Sequence, residues 1–371
     1  MKNLFSRSII NCNATRLLRP SLQAGVAATS VSTITADSVD NHHHRCCSRS
    51  RRSYHHHHHH SRRNEDVLVI MGATGTGKSK LSIDISSMFS GEVVNSDKIQ
   101  VYKGLDITTN KMPIADRCGV PHHLLGELDP CGGELPPGGF RSLASSCIAG
   151  IAARGRRPVL AGGSNSYIHA LLAEHYDPRS DPFGSVRRER FRYRCCFLWV
   201  DVDAAVLGEY LDRRVDEMIG DGMVDELEAY FAAGGDRDHA GLGKAIGVPE
   251  FKKYFEKGKS AAGFEMAVAE IKENTRRLAE TQVRKIKRLV EHGWALRRLD
   301  ASAVIAAKLC GAGKDKQVEA WERDVVGPSI EAVRHFLDGI SAGAGAGDDD
   351  DGVHHQQFLL RHRRQPLSSV S

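Results

Sequence analysis

The chain has 371 residues, of which 41% are hydrophobic, and carries a net charge of +5. That is enough apolar material for one large core or two modest ones. No run approaches the roughly 20 apolar residues of a membrane-spanning helix, and a small, uneven charge excess is a poor signature for a nucleic-acid partner.

Residues 1–63 hold ten Lys or Arg against two acids, Asp37 and Asp40, and are rich in Ser, Thr, Arg and Ala. This is the composition of an organelle transit peptide, with the plastid as the expected destination and the mitochondrion as runner-up; a basic tail with no role is the alternative. The histidines at 55–60 read as a purification tag or, with those at 42–44, as a native low-complexity tract. After about residue 340 the chain runs AGAGAGDDDDG and then turns basic, a segment that cannot bury enough apolar surface to order itself.

Between these ends, strand and helix signals alternate. VLVIM (67–71) is a continuous apolar run, read as a buried parallel strand, and a Gly-rich loop and a helix to about Phe89 follow it. GEVVNS (91–96) reads as a second strand. An amphipathic helix over 139–154 leads to PVLAG (158–162) and then FLWVDVD (197–203), the third and fourth strands. Such alternation predicts an α/β fold with a doubly wound parallel sheet over 64–203. From Ala204 to about 340 the chain reads as a helical second domain. Leu211, Val215 and Met218 share one helix face there, Gly222 interrupts it, and a further helix spans 265–292. On that long helix Ile271, Leu278, Ile286 and Leu289 recur near the helical period among basic residues.

Nine cysteines stand at 12, 46, 47, 118, 131, 147, 195, 196 and 310. None is spaced C-x-x-C and no Cys/His set has finger spacing, so a reducing compartment is expected.

The strongest chemical signal is Gly72-Ala73-Thr74-Gly75-Thr76-Gly77-Lys78-Ser79, a G-x-x-x-x-G-K-[ST] phosphate loop (P-loop) set between a strand and a helix. Its glycines let backbone N–H groups turn inward around phosphate oxygens, and the helix start adds positive potential. Lys78 supplies a full charge, and the Ser79 hydroxyl can ligate Mg²⁺. A kinase would normally end an apolar strand in an acid that holds the metal. The third strand here ends in Gly-Gly-Ser instead. Asp97 stands at the carboxyl end of the second strand, where α/β sheets place ligands. A general base, a Mg²⁺ ligand and a helix cap are its three possible roles.

Several blocks follow in order: NSDKIQVYKGLDITTNK (95–111), PHHLL (121–125), LAGGSNSYIHALL (160–172), RRVDEMIGDGMVDEL (213–227) and KAIGVPEF (244–251). With the P-loop they resemble the family of dimethylallyl (isopentenyl) transferases that prenylate the N6 amine of adenine. GGSNSY and AIGVPEF are most similar to its plant adenylate branch, which starts cytokinin synthesis. The resemblance implies dimethylallyl diphosphate in the P-loop under Lys78, with Mg²⁺ at Ser79 and Arg214 reaching the same diphosphate. It implies Asp97 as the base for the amine, and Ser164 as a polar contact beside the reacting atoms, helix capping being the alternative for Ser164. The implied partners are the prenyl diphosphate and an adenine nucleotide (ATP, ADP or AMP), for a monomer with no membrane attachment. A tRNA acceptor, which in some of these enzymes goes with a C-terminal finger, is the second expectation; only Cys310 lies in the last third. A non-catalytic nucleotide-binding protein and a small-molecule kinase follow. Two positions depart from the family pattern: Gly243 and Thr281 stand where an Arg is usual. Both departures remove a cation from where substrate phosphates are held, while Lys244, Arg276, Arg277 and Arg284 remain nearby.

Overall fold

The computed structural model describes residues 65–184 and 188–343. The transit-peptide segment and the C-terminal tail lie outside them, except that the last helix carries three residues further than expected, to Gly343. In chain order the elements begin β1 (Asp66–Gly72), α1 (Lys78–Met88), β2 (Gly91–Asn95), β3 (His122–His123), α2 (Pro137–Ala153), β4 (Arg157–Gly162), α3 (Asn165–Leu172) and β5 (Arg194–Asp201). Then come α4 (Ala204–Gly220), α5 (Met223–Ala232), α6 (Gly235–Asp238), α7 (Val248–Glu256), α8 (Ala261–Glu291), β6 (Leu296–Asp300), α9 (Ser302–Leu309), α10 (Lys314–Trp321) and α11 (Gly327–Gly343).

The six strands form one sheet in the order β3-β2-β4-β1-β5-β6, and every pairing is parallel. The strand at its centre shows why the apolar runs are continuous. Val67, Val69 and Met71 of β1 join a core with α2, α3 and α8, while Leu68 and Ile70 face Leu81 and Ile85 of α1 and the closing helices. A strand buried on both faces has no polar side to alternate with.

The sequence pattern gives no sign of β6, for a physical reason. Its five residues, LRRLD, bury only Leu299, so no apolar run marks them. Parallel pairing with β5 makes the strand, and Arg298 Nε donates to Asp201 Oδ2 at 2.7 Å. The segment after 204 thus contributes a strand to the sheet as well as helices.

The long helix α8 packs on α4. Arg276 Nη1 bonds both carboxylate oxygens of Asp212, at 2.5 and 2.6 Å, which commits one of the basic residues of this helix to structure. Ile271, Ile286 and Leu289 are buried as the periodicity requires, but Leu278 is 40% exposed. It lines the cavity described next.

Candidate active site

Because β2, β4 and β1 are parallel neighbours, their carboxyl ends lie side by side. The P-loop leaves β1, Asp97 follows β2, and Ser164 follows β4. Residues distant in sequence meet at one edge of the sheet for this reason alone.

The P-loop is shaped by its glycines. Gly75 has φ +82°, and a Cβ there would stand 2.7 Å from Leu211 Cδ2 and 3.2 Å from a terminal nitrogen of Arg214. Arg214, half-buried on α4, therefore lies directly against the loop. Its guanidinium makes no hydrogen bond or ion pair with another described residue, and burial lowers its affinity for the proton. A half-buried cation with no hydrogen-bonded or ion-paired partner among the described residues, set beside a P-loop, is able to receive an anion.

Asp97 is held by its own turn. Its backbone N–H donates to Asn95 Oδ1 at 3.2 Å, and its Oδ1 accepts from Ile99 N (2.9 Å) and Gln100 N (3.3 Å). No described residue donates to Oδ2, so one carboxylate oxygen caps the turn while the other stays available. Ser164 precedes α3 without capping it; its Oγ accepts from Lys98 N at 2.9 Å, tying the β4–α3 loop to the Asp97 turn.

Gln282 of α8 joins the third side. Its Oε1 accepts from the P-loop amide of Thr74 (2.8 Å), and its Nε2 donates to Gly163 O (3.1 Å). Asn165 Nδ2 in turn donates to Gln282 O. A Cβ on Gly163 would come within 2.3 Å of Gln282 Nε2, so a larger residue there must push the glutamine amide off its two bonds. The sequence showed this residue within the departing AETQ segment, but nothing local marks a glutamine as a clasp between two loops.

Lys78 is half-buried, and Nζ donates to Ala73 O at 2.5 Å, within its own loop. Burial pulls its ammonium down to about 8; Asp97 partly restores it and Arg214 adds to the depression. Ser79, at the start of α1, is exposed. Among the described residues no group of three or more His, Cys, Asp or Glu is arranged for a metal. A magnesium ion that keeps several waters and binds substrate phosphates needs few protein ligands, so a single hydroxyl beside a P-loop is a fitting donor.

These elements enclose a cavity of about 390 Å³. Thr74, Asp97, Ser164 and Arg214 line it; Lys78 and Ser79 do not. Leu211, Val215, Met218, Ile246, Ile271 and Leu278 form an apolar wall beside the Arg214 guanidinium. At the departing positions other cations stand close. Lys244 follows Gly243 and lines the cavity, and Arg284 Nη2 donates to Thr281 Oγ1 at 3.1 Å. A cation beside the P-loop, an apolar wall and a carboxylate in one cavity are what a transferase of hydrocarbon groups carried on an anionic leaving group requires.

Comparison with known proteins agrees with that class. The family model described as IPP transferase matches residues 100–190 and 174–288. A Humulus lupulus protein named adenylate isopentenyltransferase is 51% identical over 295 residues, covering 72% of this chain and 89% of its own. An Arabidopsis thaliana relative, adenylate isopentenyltransferase 8, chloroplastic, is 49% identical over 74% of this chain and 86% of its own. Another from that plant, 40% identical over 73% of this chain and 80% of its own, is named mitochondrial. The fold is similar to that of the full-length tRNA isopentenylpyrophosphate transferase of Bacillus halodurans (TM-score 0.57, 24% identity, 73% of this chain and 98% of that one). The chain belongs to the IPP transferase family, and is an enzyme of the prenyltransferase class.

Proposed function

We propose that this enzyme moves the dimethylallyl group of dimethylallyl diphosphate onto the N6 amine of AMP, ADP or ATP, the first step of cytokinin synthesis. The observation that carries the reading is the cavity in which the P-loop and the unpaired Arg214 adjoin both an apolar wall and Asp97. The diphosphate lies against Arg214 and the loop, and the five-carbon chain along Leu211, Val215 and Ile271. The amine approaches from the side of Asp97 and Ser164.

In the reaction the N6 lone pair forms a bond to the prenyl carbon as that carbon's bond to the diphosphate oxygen breaks. Charge grows on the leaving group, so Arg214 and Lys78 bind the transition state more tightly than the substrate. The exocyclic amine is a poor nucleophile because its lone pair is delocalised into the ring. Oδ2 of Asp97 accepts its proton, a general-base contribution of about 10²–10⁴-fold. When bound at Ser79, magnesium supplies further neutralisation of the leaving diphosphate.

The deciding experiment incubates the enzyme with labelled dimethylallyl diphosphate and AMP, ADP, ATP or tRNA. Label in the free nucleotides is expected; label confined to tRNA, or in no acceptor, rejects the proposal. Delivery to plastids belongs to the same proposal. It rests on the acid-poor start of the chain and on relatives named chloroplastic. A fluorescent protein fused behind residues 1–63 is expected in plastids, and diffuse cytosolic signal counts against this.

A further inference from the structure

We propose that Glu134 is a fixed carboxylate at the mouth of the cavity that sets how the enzyme discriminates among acceptors by their number of phosphates. The proposal rests on the nucleotide-prenylating reading above and names a specificity residue for it.

Glu134 spans two walls of the site. Its Oε1 accepts from Lys98 Nζ at 3.1 Å, and its Oε2 pairs with Lys244 Nζ. Lys98 comes from the Asp97 turn and Lys244 from the turn before α7, and both line the cavity. They are partly exposed cations, at 42% and 58%, on the rim of a site that takes an anionic substrate. Glu134 thus pairs, through one carboxylate, with two of the three lysines that line the cavity, Lys285 being the third.

The backbone around it is fastened. The Tyr102 hydroxyl donates to Gly133 O (3.0 Å) and accepts from Leu135 N (2.7 Å), so one phenol clasps both flanks of residue 134. The Tyr167 hydroxyl donates to Leu135 O at 2.6 Å. Both tyrosines are almost fully buried, at 2% and 1% exposure. The exposed ion pairs themselves contribute little to stability, while the phenols fix the backbone on both sides of residue 134, from which its carboxylate reaches the two lysines. The two lysines hold its proton affinity below the usual carboxylate range, which keeps the charge in place.

A phosphate that reaches either lysine must displace a carboxylate oxygen or settle beside a like charge, a repulsive element of the kind that creates specificity. The repulsion grows with each added phosphate. Two unit charges about 4 Å apart in water interact by about 1 kcal/mol, or about fivefold in affinity.

The test measures KM for AMP, ADP and ATP with the wild type, Glu134→Gln and Glu134→Asp. Glu134→Gln keeps the shape and removes the charge, so its KM for ATP is expected to fall about fivefold relative to its KM for AMP. The shift should shrink between about 0.05 M and about 0.5 M salt, because the pair is solvent-exposed. Glu134→Asp keeps the charge and is expected to retain the wild-type ratio. An unchanged ATP-to-AMP ratio in Glu134→Gln overturns the proposal. So does an equal shift in both variants, which would assign the effect to loop packing. A wild type that labels no adenine nucleotide rejects the underlying prenyl-transfer reading instead, so the two failures are distinct.

Discussion

Asp97→Asn is expected to lower kcat by about 10²-fold or more while leaving the fold and substrate KM nearly intact. Asparagine keeps the oxygen that Ile99 N and Gln100 N bond, so the turn after β2 survives. What it loses is Oδ2, the oxygen to which no described residue donates and the one proposed to take the amine proton. The three roles open to this residue separate in one experiment. A magnesium ligand gives a defect partly rescued by raised Mg²⁺. A cap alone costs about 1 kcal/mol of stability or less and leaves kcat unchanged. Steady-state kinetics across Mg²⁺ concentrations, with a melting curve, tells them apart, and near-normal kcat excludes the base.

Lys78→Met is expected to lower kcat/KM by about 10³-fold, because in the proposed mechanism its ammonium, which donates to Ala73 O, turns to the developing diphosphate charge and so acts mainly in the transition state. Unchanged kinetics would remove Lys78 from the phosphate site. The same variant should be more stable than the wild type at pH 7. Burial lowers the Lys78 proton affinity to about 8 in the folded state from an ordinary 10.5. Below pH 8 the folded protein carries the full cost of a desolvated ammonium. Between about pH 8 and 10.5 the folded state sheds that proton while the unfolded state keeps it, so stability rises with pH and the cost fades. The stabilisation by Lys78→Met should therefore be largest below pH 8 and vanish above 10.5. Unfolding measured at pH 7 and pH 10 tests the sign. A variant less stable at pH 7 by the same amount as at pH 10 would mean that lost packing, not charge burial, dominates. Stability given up for a poised charge is a common feature of binding sites.

The sequence by itself determined the parts of this protein that local pattern encodes. Continuous apolar runs marked β1, β2, β4 and β5 because strands buried on both faces have no polar alternation. The glycine spacing and the lysine of the P-loop were legible because a backbone cradle for phosphate needs glycine at fixed offsets. The ordered blocks pointed to the family, which the comparisons show. Tertiary structure alone decided the rest. β6 exists because β5 offers an open edge to a segment with a single buried leucine. Leu278, periodic with the buried residues of α8, lines the cavity instead, a placement that periodicity within one helix does not reveal. Gln282 and Glu134 carry no local signal, since a clasp or a charge at a mouth is defined by partners up to 208 and 110 residues away in the chain. Such pairings arise only when parallel neighbours bring the ends of β2, β4 and β1 to one edge, a consequence of strand order that no window of sequence contains.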